Sequence, residues 1–212
     1  MDRLLNLRQD IYDHFHSSTI RSDLPLAPGN RDRFAQYETA MLLIQDTGEA
    51  LWTHMRRDFS TFPMAAYIEF WGVMQAVIIQ QDALLELAAA LGAPKPSIGA
   101  AWEAIRDFRN VLAGHPANKN SGRKPLGAKS TLRAFMGRQQ KSYSGLTYEL
   151  WDARAERTTH PHINLGAMIA AYEAEAADHL AEILDHMRRT WPVEIDDGAL
   201  ADCSVRPWAG EH

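Results

Sequence analysis

Residues 63–92, PMAAYIEFWGVMQAVIIQQDALLELAAALG, contain the most apolar run of the sequence and give the clearest indication of the fold. Pro63 suits the first turn of a helix, and the stretch predicts one long helix that ends at Gly92. Its amino-terminal half is apolar on nearly every face, which is typical of a helix at the centre of a bundle or in a contact between subunits. Glu69 and Gln75 interrupt the apolar run, which is too short to span a bilayer, so we expect a core helix and no membrane association.

Four further helices are predicted around this one by apolar residues that recur at steps of three and four. They cover about residues 2–16, 30–57, 97–114 and 164–191. Asn30 and Ser97 are expected to cap the second and fourth helices, and Ser60 or Thr61 is expected to cap the third. The predicted fold class is therefore all-α, a helical bundle of about five helices.

The chain has 212 residues, of which 46% are hydrophobic and 23% charged, and this is enough for one domain with a continuous core. We predict a single bundle domain over residues 1–191 and a flexible tail over 192–212. The only cysteine, Cys203, leaves no internal disulfide framework and favours a reducing, cytoplasmic compartment. The charged amino terminus lacks the apolar run of a signal peptide, so we expect none.

The fourth predicted helix carries an arginine on its apolar face. On a helical wheel Arg109 falls within the arc shared by Trp102, Ile105, Phe108 and Leu112. A guanidinium is costly to bury unless an anion or a ring of acceptors meets it, and arginine does not give up its proton. The sequence therefore predicts either a fixed partner or an anionic ligand at Arg109.

Arg109 opens the sequence Arg-Asn-Val-Leu-Ala-Gly-His-Pro, in which Asn110 follows directly and His115 stands near the end. Because a proline pushes the residue before it out of the helical region, His115 should sit just past the helix end. An arginine, a polar residue after it and a histidine a few residues later, at the end of a bundle helix, resembles the signature of the HEPN superfamily. The resemblance covers roughly residues 30–191.

The resemblance implies an all-α homodimer whose two motif helices approach each other and form a ribonuclease site without metal or other cofactor. Cleavage of RNA by its own 2′-hydroxyl needs a proton acceptor or donor near neutral pH, and His115, with an ordinary pKa of about 6.5, would supply it. Arg109 would stabilise the charge that accumulates on the phosphate, and Asn110 would orient the histidine or the phosphate. Such a protein would be a toxin or defence component that acts with an antitoxin or another partner protein.

A structural or non-catalytic role is the alternative. A buried arginine in a bundle often pairs with a carboxylate of another helix, and a histidine at a helix end often only complements the helix dipole. Many proteins that resemble the superfamily keep the fold as binding modules. In that case the chain would bind nucleotide, RNA or a partner protein, with Arg109 as an anion clamp and His115 dispensable.

The segment of about residues 117–162 is basic, although the formal net charge of the chain is -5. Its cations are predicted to bind RNA phosphates: Lys119, Arg123, Lys124, Lys129, Arg133, Arg138 and Lys141. Phe135, Tyr143, Tyr148 and Trp151 are interleaved with them and either stack on single-stranded bases or fold back onto the bundle. We predict a long basic loop or a small β-hairpin, with TLRAFMGRQ and SGLTYELWD as its strands.

A third interpretation is a metal-binding bundle. Four side chains lie along one edge of the last predicted helix: Glu175, His179, Glu182 and His186. Such a stripe could supply two metal ligands, joined by His160 or His162 from the preceding turn. The same spacing is also an ordinary helix-stabilising pattern, and no second helix offers a matching Glu-x-x-His. We therefore assign no metal site.

Overall fold

The computed structural model of the chain describes residues 2–19, 30–114, 132–137 and 141–193. These ranges contain five α-helices: α1 (Asp2–Ser17), α2 (Arg31–Arg57), α3 (Pro63–Leu91), α4 (Ala100–Arg109) and α5 (Leu165–Thr190). A π-helix of five residues, Asn110–Gly114, continues α4. The predicted all-α bundle of about five helices is confirmed.

The central position predicted for the apolar third helix is visible in its contacts, because α3 packs against α2, α4 and α5. Two buried glutamines on α3 join these helices. Gln80 donates to Thr47 Oγ1 of α2 at 3.2 Å and accepts from the Tyr172 hydroxyl of α5 at 3.0 Å. Gln81 donates to the Trp102 carbonyl of α4 at 3.2 Å. Since buried amides are costly without partners, these bonds fix how the helices are placed along one another.

Burial also explains why α3 is so apolar. Among the described residues, α3 is the one helix long and apolar enough to cross a membrane, yet 61% of its most apolar 18-residue window is buried inside the bundle. A helix enclosed on several sides by other helices has few positions left for polar side chains. Its place in the core thus accounts for the buried part of its apolar composition.

The first helix and the chain after α5 close one end of the bundle. α1 packs against α5 and α2, and the Phe15 ring stacks on Tyr37 with 4.0 Å between ring centroids. The Pro192 carbonyl accepts a hydrogen bond from Ser18 Oγ at 3.0 Å. Ser18 also forms a β-bridge with Val193. The predicted tail is therefore tied to the bundle at its first two residues, and residues 194–212 lie outside the described ranges.

The start of α4 differs from the prediction. Ser97 does not cap it: the helix begins at Ala100, with Gly99 in the capping position. Instead, the Glu175 carboxylate of α5 accepts from the backbone N–H groups of Gly99 at 2.6 Å, Ala101 at 3.0 Å and Trp102 at 3.1 Å. A carboxylate at a helix amino terminus satisfies unpaired donors and complements the helix dipole, so α5 fixes the position of α4.

The other predicted caps also differ. Asn30 precedes α2 without a side-chain cap hydrogen bond, and Phe62 rather than Ser60 or Thr61 precedes α3. Only at α5 does an asparagine cap directly, because Asn164 Oδ1 accepts from the Ala167 N–H at 2.8 Å. A tertiary contact therefore defines the start of α4, and Pro63 marks that of α3.

The chain between α4 and α5 contains the predicted β-structure. Its strands are β1 (Leu132–Phe135), β2 (Leu146–Thr147), β3 (Glu149–Asp152), β4 (Arg157–Thr159) and β5 (His162–Ile163). They form an antiparallel three-stranded sheet in the order β1-β3-β4 and an antiparallel pair of β2 with β5. The two predicted strand segments do pair, since β1 lies within the first and β3 within the second.

Candidate functional site

Arg109 is the last residue of α4. The helix is held in the core by Trp102, Ile105 and Phe108, which are all buried. The Arg109 side chain, at the edge of this buried face, is only half-buried. The helical wheel therefore overestimated its burial, and the guanidinium can be reached from solvent.

The guanidinium of Arg109 is held by neutral groups. Nη1 donates to Asn110 Oδ1 at 3.2 Å, and Nη2 donates to Gln75 Oε1 of α3 at 3.1 Å. Within the described ranges no carboxylate lies within 4.0 Å of it. Because amide oxygens orient a cation without cancelling its charge, Arg109 stays electrostatically available to an anion.

Arg106, one turn earlier, has the opposite environment. Its Nη1 and Nη2 both donate to Asp82 Oδ1, at 3.1 and 3.2 Å, and Nη1 also donates to Gln81 Oε1 at 3.2 Å. This arginine links α4 to α3 and its charge is balanced by a carboxylate. The structural role considered for Arg109 is thus filled by its neighbour.

The π-helix Asn110–Gly114 follows Arg109 directly. Leu112 is buried in the core and anchors this segment, while Asn110 is half-buried and accepts from Arg109. Single π-helical turns are frequent at functional sites because the widened turn redirects side chains. Asn110 therefore orients the arginine, whereas His115 lies outside the described residues.

Gln75 is a site residue that the sequence analysis did not identify. It appeared there only as a polar interruption of the apolar run, and that interruption was the available signal. Met64, Ile68, Trp71 and Gln75 are all exposed along one side of α3. The residue that holds Arg109 therefore ends an exposed apolar strip, which we call the α3 strip.

The predicted phosphate-binding side chains are only partly described. Arg133 is exposed on β1. Lys141 is only 2% exposed, and its Nζ donates to the Gly137 carbonyl at 3.1 Å and lies 5.4 Å from the centre of the Tyr67 ring. Burial lowers the pKa of Lys141, and we leave it out of the proposed RNA surface. The others lie outside the described residues: Lys119, Arg123, Lys124, Lys129 and Arg138.

The four aromatic side chains of the basic segment divide into two pairs. Tyr143 is buried against His54 and Phe59, and Tyr148 packs edge-on against Phe108 of α4 at 5.9 Å. Phe135 and Trp151 are exposed. One pair therefore anchors the strands on the bundle, and the other is available for contacts.

A second polar cluster, which the sequence pattern does not reveal, joins α2 and α3 to the part of the chain that contains β1–β5. We call this part the strand segment. His54 Nδ1 lies 2.7 Å from the Tyr143 hydroxyl, and His54 Nε2 lies 3.6 Å from Glu69 Oε2. Glu69 also accepts from Arg57 at 2.9 Å. Burial, followed by the Arg57 charge, lowers the pKa of His54, and burial raises the pKa of Tyr143. The neutral imidazole thus holds the Tyr143 segment on the bundle.

An open cavity of about 540 Å³ adjoins this cluster on the α2 surface. Its lining comes from α2: Asp46, Glu49, Ala50, Thr53, His54 and Arg57. Asp46 and Glu49 are its acids, and its one guanidinium, that of Arg57, is paired with Glu69. It therefore offers no concentrated charge to a polyanion.

Two of the four residues of the stripe on α5, Glu175 and His179, are used for packing. Glu175 caps α4, and His179 is buried with its ring 5.5 Å from that of Trp102. In the preceding segment, His162 Nδ1 lies 3.0 Å from Thr147 Oγ1, and His160 is 4.0 Å from Glu149. Within the described part of the chain, no three His, Cys, Asp or Glu side chains form a metal-binding group.

The arrangement around Arg109 is suited to binding an oxyanion. The cation is half-buried, oriented by two amides and placed immediately before the residues that lead to His115. A guanidinium fixed in this way matches phosphate oxygens and interacts more strongly as negative charge increases. No family model, curated protein or solved structure matches the chain.

Proposed function

We propose that this protein is a HEPN-type endoribonuclease that cleaves RNA without metal, by attack of the 2′-hydroxyl on the adjacent phosphate. The observation that carries the proposal is the pairing of Arg109 with two amide oxygens, those of Gln75 and Asn110, and with no carboxylate among the described residues. Orienting a cation without neutralising it is what stabilisation of a phosphorane-like transition state requires.

In the proposed reaction, His115 removes the proton of the 2′-hydroxyl or protonates the 5′-oxygen as it leaves. The new bond joins the 2′-oxygen to phosphorus, the bond to the 5′-oxygen breaks, and a 2′,3′-cyclic phosphate results. Arg109 neutralises the charge on the non-bridging oxygens, and Asn110 keeps the guanidinium oriented. This chemistry uses only side chains and needs no cofactor.

A homodimer is part of the proposal, with the Arg109 regions of two subunits facing one cleft. The α3 strip supports it, because Met64, Ile68 and Trp71 leave apolar surface uncovered beside the residue that holds Arg109. Exposed apolar surface of this kind is typical of a contact between proteins.

The test is cleavage of a mixed, labelled RNA pool in EDTA by the wild-type protein, His115→Ala and Arg109→Ala. We expect wild-type cleavage with 2′,3′-cyclic ends, and its loss in both variants. Arg106→Ala is the matched control, since it removes a guanidinium one turn away that is already paired with Asp82. Folded wild-type protein that leaves varied RNAs intact, or cuts only with added divalent metal, would overturn the proposal.

A further inference from the structure

The three-stranded sheet has one face toward the bundle and one toward solvent. Ala134 of β1 is buried in the core and pairs with Leu150 of β3, which packs against the core. Side chains alternate along a strand, so Arg133, Phe135 and Trp151 lie on the opposite face. There Phe135 is 57% exposed and Trp151 is 36% exposed. We call this the aromatic sheet face.

The strand register brings these side chains together. Arg133 lies directly opposite Trp151, which in turn lies opposite Thr158 of β4. Phe135 lies opposite Glu149 and is therefore the diagonal neighbour of Trp151, at about 7–8 Å between backbones. Two exposed aromatic residues thus lie on the same face of the sheet, and Arg133 occupies the position directly opposite one of them.

At the end of this face that carries Arg133, the charge is suited to binding a phosphate backbone. Arg133 is its cation, and Glu149, the acid beside Phe135, lies 4.0 Å from His160. The chain enters β1 from residues 115–131, which contain four lysines and arginines and no acid. Isolated rings set among charged and hydroxyl side chains suit stacked bases, whereas the core of a protein contact needs continuous apolar surface.

The sheet that carries this face packs beside the end of α4. β1 packs against the π-helix that follows Arg109, and Tyr148, directly before β3, packs on Phe108 of α4. The sheet is therefore mounted on the helix end that carries the proposed catalytic arginine.

We propose that the aromatic sheet face binds single-stranded RNA, with bases stacked on Trp151 and Phe135 and a phosphate held by Arg133. RNA is chosen as the ligand because of the proposed ribonuclease function, on which this inference rests. The face would hold the substrate of that ribonuclease site. Stacking is tolerant of sequence, because every base has a π-face. The face would bind unpaired RNA in preference to a duplex, since bases in a duplex cannot reach the rings.

The test is binding of a fluorescein-labelled 2′-O-methyl oligouridylate of about ten nucleotides, measured by anisotropy at fixed salt. This probe has no free 2′-hydroxyl and cannot be cleaved by the proposed reaction. We expect Trp151→Ala and Phe135→Ala each to weaken binding by about fivefold to a hundredfold, and Trp151→Phe to retain most of the affinity. Trp52→Ala is the matched control, because Trp52 is 43% exposed on α2 and also has an arginine, Arg56, over its ring.

The outcomes separate this inference from the proposed function. Binding that depends on Trp151 in a protein that cuts no RNA supports the sheet face and contradicts the nuclease. Cleavage of RNA together with unchanged oligonucleotide affinity in Trp151→Ala and Phe135→Ala overturns the inference and leaves the nuclease standing. A change in oligomeric state in these variants, without a change in affinity, would assign the face to a protein contact and overturn it as well.

Discussion

Arg106 and Arg109 stand one turn apart on α4, and their environments differ in one chemical group. Arg106 meets the Asp82 carboxylate, whereas Arg109 meets the amide oxygens of Gln75 and Asn110. Both arrangements satisfy guanidinium donors, but only the first cancels the charge. The difference assigns a structural role to Arg106 and leaves Arg109 suited to an anionic substrate.

Gln75→Glu tests this difference. The new carboxylate should pair with Arg109 and change the unfolding free energy by at most about 1 kcal/mol, in the stabilising direction. Cleavage should fall by about tenfold to a hundredfold, because the guanidinium is then neutralised before substrate binds. Denaturant unfolding and initial cleavage rates measure the two effects. Gln75→Met, which removes the acceptor without adding charge, is the control and should reduce cleavage less; equal loss in both variants would contradict the account.

We expect His54 to make the unfolding free energy depend on pH. Burial lowers its pKa below the ordinary value of 6.5, so the unfolded chain binds a proton at a pH where the folded chain does not. The unfolding free energy should therefore be highest above pH 6.5 and fall as the pH drops through 6.5 toward the lower pKa of the folded state. The facing charged and titratable groups are Arg57, Asp58, Glu69 and Tyr143.

Denaturant unfolding between about pH 7.5 and pH 5.5, above the range in which carboxylates ordinarily titrate, measures this effect. His54→Gln keeps a polar side chain but cannot titrate, so its unfolding free energy should vary less with pH than that of the wild type. A steeper pH dependence in His54→Gln would show that the folded chain prefers the protonated ring.

Among the single elements, α4 has its amino terminus capped by another helix. Glu175 of α5 satisfies three backbone N–H groups at the start of α4, from Gly99 to Trp102. The sequence instead predicts a cap at Ser97, because local patterns favour a hydroxyl near a helix start. A carboxylate 76 residues further along the chain leaves no local signal.

Glu175→Ala should lower the unfolding free energy by about 1–3 kcal/mol, since it leaves several part-buried N–H groups without an acceptor. The matched control is Glu182→Ala, on the same helix but with its side chain 68% exposed, for which we expect a change within about 0.5 kcal/mol. Chemical denaturation followed by circular dichroism measures both. A Glu175→Ala variant as stable as Glu182→Ala would mean that the cap contributes little.

The strand segment shows what sequence patterns could and could not predict about an element. TLRAFMGRQ and SGLTYELWD contain the paired strands β1 and β3, because alternating apolar residues identify a half-buried sheet. Arg157–Thr159 was not predicted as β4, since a strand of three polar residues has no such alternation. The sequence likewise did not show which aromatics face solvent, because this depends on register against β3 and on the bundle below.

At the scale of the whole molecule, the bundle follows from helical periodicity, but the contacts that build the site do not. The five helices were predicted because each carries an apolar face. The contact of Arg109 with Gln75 joins residues 34 positions apart, and that of His54 with Tyr143 joins residues 89 apart. Such pairs depend on helix packing, which a single sequence does not specify.

The exposed α3 strip predicts that the protein forms a homodimer. We expect a dimer at micromolar concentration in sedimentation velocity, and a monomer when Ile68→Glu places a charge on the strip. Ile68 is 65% exposed, so the substitution should leave the fold intact. Leu42→Glu is the control, because Leu42 is a comparably exposed apolar residue, at 58%, on α2. A monomeric wild-type protein, or loss of the dimer in Leu42→Glu alone, would contradict the proposed interface.

The most direct test of the proposed ribonuclease compares one single-stranded RNA with its 2′-O-methyl counterpart, both incubated in EDTA with the wild-type protein. The 2′-hydroxyl is the nucleophile of the proposed reaction, so we predict that the RNA is cut to 2′,3′-cyclic ends while the 2′-O-methyl strand is bound and stays intact. Equal cleavage of both strands would contradict attack by the 2′-hydroxyl, and an intact RNA with folded protein would contradict the nuclease itself.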